Sequence, residues 1–376
     1  MKEFRLATRV SVGVGALEVL DEFRGKSVFL ITDDFLATTD VYKQAVARLG
    51  DRVSVYTGVK PNPTTSEIGA GVAVYMKAQP DVVVAYGGGS AMDAAKVMHK
   101  TALEAGFGAP LGIVAIPTTS GSGSEVTSFA VVTDETTHTK IPIISEDLVA
   151  KLAILDPAAV AGVPAHITAD SGMDALTHAI EAYVATDAND LSDAMAEKAI
   201  KLIFANLLRC YTHGDDLEAR SHMHNAACMA AIAFDNAGLG IVHSLAHALG
   251  GHYPIAHGRL NSLLLPHVIE FNAAGNPKAA ERYAQIGQMI APSSKGRAAV
   301  MSLVAAVEKL RGQLGIPARL SDLKVSASDV RRDENELVAA ALADGRARVG
   351  REVLEAGRVG GRGGDDGGVL QGAALL

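Results

Sequence analysis

The 376-residue sequence predicts an α/β N-terminal domain, doubly wound around a mostly parallel sheet, followed by an all-helical C-terminal domain. Three observations predict it. The first half alternates short apolar runs with helix-like stretches and Gly or Pro punctuation, and strand signals largely stop after Pro164. The length, at roughly 150 residues per domain, suffices for about two cores.

Taken in order, residues 27–32 (SVFLIT), 53–56 (VSVY), 81–86 (DVVVAY) and 111–116 (LGIVAI) are short apolar runs with the pattern of buried strands. Residues 40–49 and 66–76 show helical period between them. Strands separated by helices are joined by crossovers, so the sheet is parallel and covered on both faces, and its ligands bind at the carboxyl ends of the strands. Beyond Pro164, residues 191–208 and 221–234 are Ala-rich helical stretches. The segment 157–164, with Pro at each end, is the predicted junction; it gives domains at 1–160 and 161–344, with a cleft between them as the ligand site. From Gly345 the run GRVGGRGGDDGG and its surroundings have no packing pattern, so 345–376 is expected to form a poorly ordered Gly/Arg-rich tail.

Composition narrows the partners. The formal net charge is −8 and no basic block interrupts it, which argues against nucleic acid and against an anionic membrane surface. No apolar run approaches membrane-span length, and Glu3, Arg5 and Arg9 break any signal-peptide core. The two cysteines, Cys210 and Cys228, cannot build a disulfide framework and fit a reducing, cytoplasmic setting.

The strand at 81–86 runs into Gly87-Gly88-Gly89-Ser90 and then a helix start, AMDAAK. Glycines let backbone N–H groups approach a phosphate, and a helix N-terminus adds free donors and partial positive charge. The same residues also suit a tight strand-to-helix turn without a ligand. A second loop, PTTSGSGS at 117–124, follows the strand at 111–116 and is crowded with hydroxyls; two such loops in one α/β domain favour a nucleotide. Asp33 ends the strand at 27–32, where a carboxylate can accept the hydroxyls of a ribose or simply cap a turn, and pattern does not separate it from Asp34.

In the second half, Asp174 and His178 lie i, i+4 in MDALTHAIEAY, and His243 and His247 repeat that spacing in IVHSLAHALGG, with His257 following in PIAHG. Spacing stacks each pair on one helix face, and two such pairs plus a loop His form a plausible cage for a divalent metal. Nitrogen and oxygen ligands without thiolate suit Fe2+ or Zn2+ rather than Ca2+ or an iron–sulfur cluster.

Together GGGSAMDAAK, PTTSGSGSEVT, GMDALTHAIEAY and GLGIVHSLAHALGGHYPIAHG, with VKPNPT at 59–64 and ILDP at 154–157, resemble the iron-containing alcohol dehydrogenase family from about residue 5 to residue 344. Within it, TTSGSGSEVTS, MHNA and AEKAIKL are most similar to the 1-propanol dehydrogenases of propanediol-degrading bacteria. The resemblance implies a dehydroquinate synthase-like architecture, an NAD(H) cofactor and one divalent metal, Fe2+ first and Zn2+ second. It places Asp174, His178, His243 and His257 on the metal ligands, and sets His247 beside them as a proton relay. It places Gly88, Gly89 and Ser90 on the pyrophosphate loop, Asp33 on the adenosine ribose, and Asn62, Thr118, Thr119, Thr127 and Lys140 on further cofactor contacts. Phe129 and Phe234 fall on positions flanking the substrate.

The implied reaction is hydride transfer between NAD(H) and a short primary alcohol or its aldehyde, such as 1-propanol and propanal, by a homo-oligomer associated with a bacterial microcompartment. Two alternatives are a polyol dehydrogenase or NAD/metal-dependent lyase on the same fold, and a catalytically weakened structural or scaffold-associated protein. The second draws on the tail. Relatives continue after ALAD (341–344) into an Asn-Pro-Arg turn, of which this sequence has no counterpart, and a reading-frame slip would account for so abrupt a change.

Overall fold

The computed structural model describes residues 2–136 and 140–343; the expected tail at 345–376 lies outside the described residues. Along the chain run β1 (Arg9–Val12), β2 (Val28–Ile31), α1 (Asp40–Leu49), β3 (Val53–Tyr56), α2 (Thr65–Ala78), β4 (Val82–Gly87), α3 (Gly89–Glu104) and β5 (Ile113–Pro117). A hairpin, β6 (Phe129–Thr133) and β7 (Lys140–Ile144), and a last strand, β8 (Leu152–Leu155), complete the α/β part. The helical part follows as α4 (Ala165–Val184), α5 (Asp190–Thr212), α6 (Leu217–Ala237), α7 (Ile241–His252) and α8 (His257–Gly275). It ends with α9 (Pro277–Ile290), α10 (Gly296–Gln313) and α11 (Ala327–Ala343).

The six-stranded sheet has the order β1-β8-β5-β4-β2-β3, and each of its pairs is parallel. Its four inner strands, β2, β4, β5 and β8, are apolar on both sides because both sides are covered. Val28, Leu30, Val84 and Ile116 pack with Leu20, Tyr42 and Leu49 on one face, while Phe29, Ile31, Val83 and Ala115 pack with Ile68, Tyr75 and Met98 on the other. From β2 the chain goes outward to β3 and then returns to β4 on the opposite side of β2. The strand order therefore reverses between β2 and β4, and a crevice opens outside their carboxyl ends.

All four predicted strands form, with small shifts at their ends. Two sheet strands and the β6–β7 hairpin were not predicted. β8 is a fully buried LAIL, four residues whose pattern does not distinguish strand from helix, and β1 is a half-exposed edge. The hairpin is antiparallel and separate from the main sheet.

The helical half is organised around α4, which is buried along most of its length and on all sides. Val126, Ala153 and Leu155 of the α/β half belong to the same apolar cluster as Met173, Leu176 and Ile180 of α4, so the core is continuous across the change from sheet to bundle. Caps fix helix starts: Thr64 and Glu67 form a capping box on α2, and Asn189 accepts from the Leu191 and Ser192 N–H groups on α5. Among the described residues no helix is long and apolar enough to cross a membrane.

Candidate active site

On the α/β side, β4 ends at Gly87 and α3 begins two residues later, so the first-turn N–H groups of α3 open onto the crevice. The second loop faces them. A Cβ on Gly88 would lie 3.2 Å from Thr119 Oγ1, and one on Gly89 would lie 3.1 Å from Ser122 Oγ, so side chains there would fill the cradle that a phosphate needs. The hydroxyl loop reaches this position because Gly123, at φ 62°, brings its backbone against α6, where a Cβ would come within 2.0 Å of Ala231 Cβ. Ser90 Oγ accepts from the N–H of Asn62, itself in the left-handed region at φ 57°.

Asp33 Oδ1 accepts from the Leu36 N–H at 2.8 Å, so one oxygen caps the turn after β2. Both Asp33 and Asp34 line the outer cleft, about 850 Å³, together with Gly88 and Thr118. Position in the cleft does not separate the two carboxylates.

Two residues inside GGGSAMDAAK carry no functional signal in the sequence and gain one from the fold. Lys96 is buried, and its Nζ donates to Thr127 O at 2.7 Å, Thr127 Oγ1 at 3.1 Å and Phe129 O at 2.8 Å. Asp93 accepts from Ser124 Oγ at 2.8 Å and from the Val131 N–H at 3.0 Å. These two side chains, one helical turn apart, tie α3 to the hydroxyl loop and the hairpin. Glu125 is buried in the same loop, and desolvation pushes its carboxyl up to about 7. Two bridges join the loop to α6: Ser120 Oγ to His224 Nδ1 at 3.1 Å, and Ser128 N–H and Oγ to Asp235 Oδ1, both at 3.0 Å.

On the helical side, α4 supplies Asp174 and His178, α7 supplies His243 and His247, and α8 opens with His257. Ligand atoms of Asp174, His178 and His243 all lie within 4.8 Å of one another. Asp174 Oδ1 is 3.9 Å from His178 Nε2, 3.7 Å from His243 Nε2 and 3.5 Å from His257 Nε2. His257 thus approaches the carboxylate while standing apart from the mutual three-residue cluster. His247 lies beside it, its ring stacked on that of His257 with centroids 4.9 Å apart.

These separations approximate those of neighbouring ligands around an ion bound at about 2.1 Å, and the donors are one carboxylate and imidazole nitrogens. The residues fit a divalent transition metal. The electrostatics agree: burial opposes ionisation of Asp174, yet the surrounding histidines hold its carboxyl well below the usual carboxylate range. Burial likewise opposes charge on His243, but Asp174 and Glu181 push its imidazole up to about 9. A buried anionic centre ringed by imidazoles favours a cation.

Two further residues complete the cluster. Glu181, one turn beyond His178, meets His243 Nδ1 at 2.5 Å. Asn261 Nδ2 donates to Asp174 Oδ1 at 2.6 Å and lies 3.2 Å from His243 Nε2 and 3.1 Å from His257 Nε2. Asn261 is one turn after His257 on α8, and neither Asn261 nor Glu181 stands out in sequence as anything but a polar helix position.

The two sides meet in an inner cleft of about 400 Å³. Asn62, Gly89, Ser90, Thr119, Thr127, Phe129 and Lys140 line it from the α/β half, and Asp174, His178, Phe234, His243, His247 and His257 from the helices. Burial pulls the Lys140 ammonium below its ordinary pKa, against the pull of Asp93. The Phe234 ring sits 4.5 Å from that of His178, giving the cluster an apolar neighbour.

The family model described as iron-containing alcohol dehydrogenase matches residues 7–157, and the model of the C-terminal part of the Fe-containing alcohol dehydrogenase family matches residues 168–349. The chain is 41% identical over 362 residues to the 1-propanol dehydrogenase PduQ of Citrobacter freundii, covering 95% of this chain and 97% of that one. It is 35% identical over 351 residues to the NAD-dependent methanol dehydrogenase of Bacillus methanolicus, covering 88% and 91%. The crystal structure of a 1,3-propanediol oxidoreductase superposes with a TM-score of 0.86 at 35% identity, covering 95% and 98%. With both halves matched in order and a fold shared along nearly the whole length, the chain belongs to the iron-containing alcohol dehydrogenase family.

Proposed function

We propose that this protein transfers hydride between NAD(H) and a short-chain primary alcohol or aldehyde, with 1-propanol and propanal as representative substrates. The observation that carries this reading is the inner cleft, which Gly89 and Ser90 of the glycine loop, the Asp/His cluster, Phe129 and Phe234 line together. Residues 1–160 serve as the cofactor domain and 161–344 as the metal domain.

In this reading Gly88, Gly89 and Ser90 hold the pyrophosphate, Asp33 the adenosine ribose, and Asn62, Thr118, Thr119, Thr127 and Lys140 further parts of NAD(H). Asp174, His178, His243 and His257 hold Fe2+, or Zn2+ in its place. The bound metal supplies a Lewis acid for the substrate oxygen and the nicotinamide supplies or accepts the hydride. Phe129 and Phe234 exclude water and accept an alkyl chain better than a polyol, and His247 carries the alcohol proton between cleft and solvent. The names of the 1-propanol and NAD-dependent methanol dehydrogenases support substrate and cofactor alike.

The two free, buried cysteines suit a reducing cytoplasm. A homo-oligomer and association with a bacterial microcompartment complete the proposal; light scattering and co-purification with shell proteins test them. The activity is tested by following NADH absorbance, after anaerobic reconstitution with Fe2+ or Zn2+, across C2 to C6 aldehydes and glycerol. Turnover of propanal well above that of glycerol is expected; equal or greater turnover of polyols would overturn the substrate assignment.

A further inference from the structure

We propose that Glu181 is a positioning residue for the metal site: reaching from α4 to the N-terminus of α7, it fixes the ring of His243 so that Nε2 faces Asp174. The inference rests on the reading of Asp174, His178, His243 and His257 as metal ligands.

Three observations converge on Glu181, which is buried. Its Oε2 lies 2.5 Å from His243 Nδ1, and its Oε1 accepts from the Val242 N–H at 2.8 Å. Both oxygens of one carboxylate are therefore engaged by adjacent residues in the first turn of α7. The N-cap, Gly240, makes no side-chain cap bond, and Glu181 from α4 takes that place. Gly240 also has to be small, because a Cβ there would come within 2.5 Å of Glu181 Oε1.

A carboxylate accepts hydrogen bonds and does not donate them, so it commits the Nδ1 proton of His243 and leaves Nε2 as the nitrogen for a cation. Nε2 points into the cluster, 3.7 Å from Asp174 Oδ1. Asn261 bounds it from α8, with Nδ2 3.2 Å away.

Glutamine is the informative replacement because it keeps shape and loses one acceptor. With its carbonyl oxygen on the Val242 N–H, its amide nitrogen is left to donate to His243 Nδ1, which moves the imidazole proton to Nε2, the nitrogen that faces the cation. The structure thus predicts that E181Q disturbs metal binding more than folding. Removing such an outer carboxylate from a ligating histidine typically weakens metal binding by roughly 10–100-fold.

The test is Zn2+ affinity of the full chain by chelator competition, with far-UV circular dichroism and thermal melting on the same samples. For E181Q we expect a dissociation constant about 10–100-fold higher than wild type at closely similar melting temperature, together with loss of the slowly exchanging His243 Nδ1–H resonance in the Zn2+-loaded protein. A purely structural cap would lower the melting temperature and leave the affinity alone. Should E181Q not fold, Gly240→Ala tests the same contact with Glu181 intact; it is expected to weaken Zn2+ several-fold. Wild-type affinity in a folded E181Q, or in a folded Gly240→Ala if E181Q is unfolded, would overturn the inference. Absence of Zn2+ binding by the wild-type chain would instead overturn the metal reading, and the inference with it.

Discussion

The two walls of the inner cleft are built by opposite means. The α/β wall presents backbone: its key positions are glycines and hydroxyls in two contiguous loops, each following the carboxyl end of a strand. The helical wall presents side chains gathered from three helices, α4, α7 and α8, which contribute to one apolar cluster, with α8 packed against both of the others. A backbone cradle spreads its contribution over many small donors and tolerates the loss of one. A side-chain cluster fails when any member is removed, because the remaining carboxylate and imidazoles are left buried around an incomplete set.

That contrast orders the expected effects of substitution. The largest belongs to the helical wall: His243→Ala and His257→Ala are each expected to lose metal and on the order of a thousandfold in kcat/KM, the several kcal/mol a Lewis acid provides. His247→Ala, beside the cluster and stacked on His257, should keep its metal and lose rate only. Metal analysis of the three variants decides this, and a metal-free His247 variant with a metal-loaded His257 variant would exchange their roles.

Next comes the bolt behind the α/β wall. Lys96→Met removes a buried ammonium with three acceptors, leaving Thr127 O and Phe129 O without that donor. A loss of about 3 kcal/mol in urea unfolding is expected, with a raised KM for NADH. An unchanged midpoint together with an unchanged KM would show that the loop and hairpin hold their positions without it.

Glu125 gives a pH-dependent effect of similar or smaller size. Its folded pKa is raised from about 4.5 to about 7, so its stabilising contribution is complete below the unfolded value and disappears as pH rises through that window. The change amounts to about 3 kcal/mol as an order of magnitude. Glu125→Gln should therefore flatten the fall in stability between pH 4.5 and 7, and an equally steep fall in the variant would place its origin elsewhere.

The smallest effect is expected at the outer end of the α/β wall. Asp33→Gly should narrow the preference for NADH over NADPH by about tenfold, since a carboxylate near a 2′-phosphate repels it. Should Asp34→Gly do this instead, the ribose carboxylate is Asp34, which lines the same cleft.

The same contrast explains what could be read from sequence. Loops that carry a backbone cradle are contiguous, so GGGS and TTSGSGS stand out after their strands, and i, i+4 pairs on one helix mark Asp174–His178 and His243–His247. Contacts between elements leave no such trace. Spacing alone makes His247 as good a ligand as His243, and only the meeting of α4 with α7 and α8 draws His243 to Asp174 while His247 stacks on His257. Glu181, Asn261 and Lys96 read as ordinary helix residues until the fold surrounds them. Short strands were lost for a related reason: the four residues of β8 and the half-exposed β1 become strands through their neighbours in the sheet, and no local pattern announces them.

If the Asp/His cluster and the glycine cradle form one catalytic cleft, metal content and propanal-dependent NADH oxidation, measured on the same samples as chelated protein is reloaded with Fe2+ under nitrogen, must rise together. Turnover is expected to be absent in the metal-free chain and to increase in proportion to bound metal, up to about one ion per chain. Full turnover by the metal-free chain would contradict it.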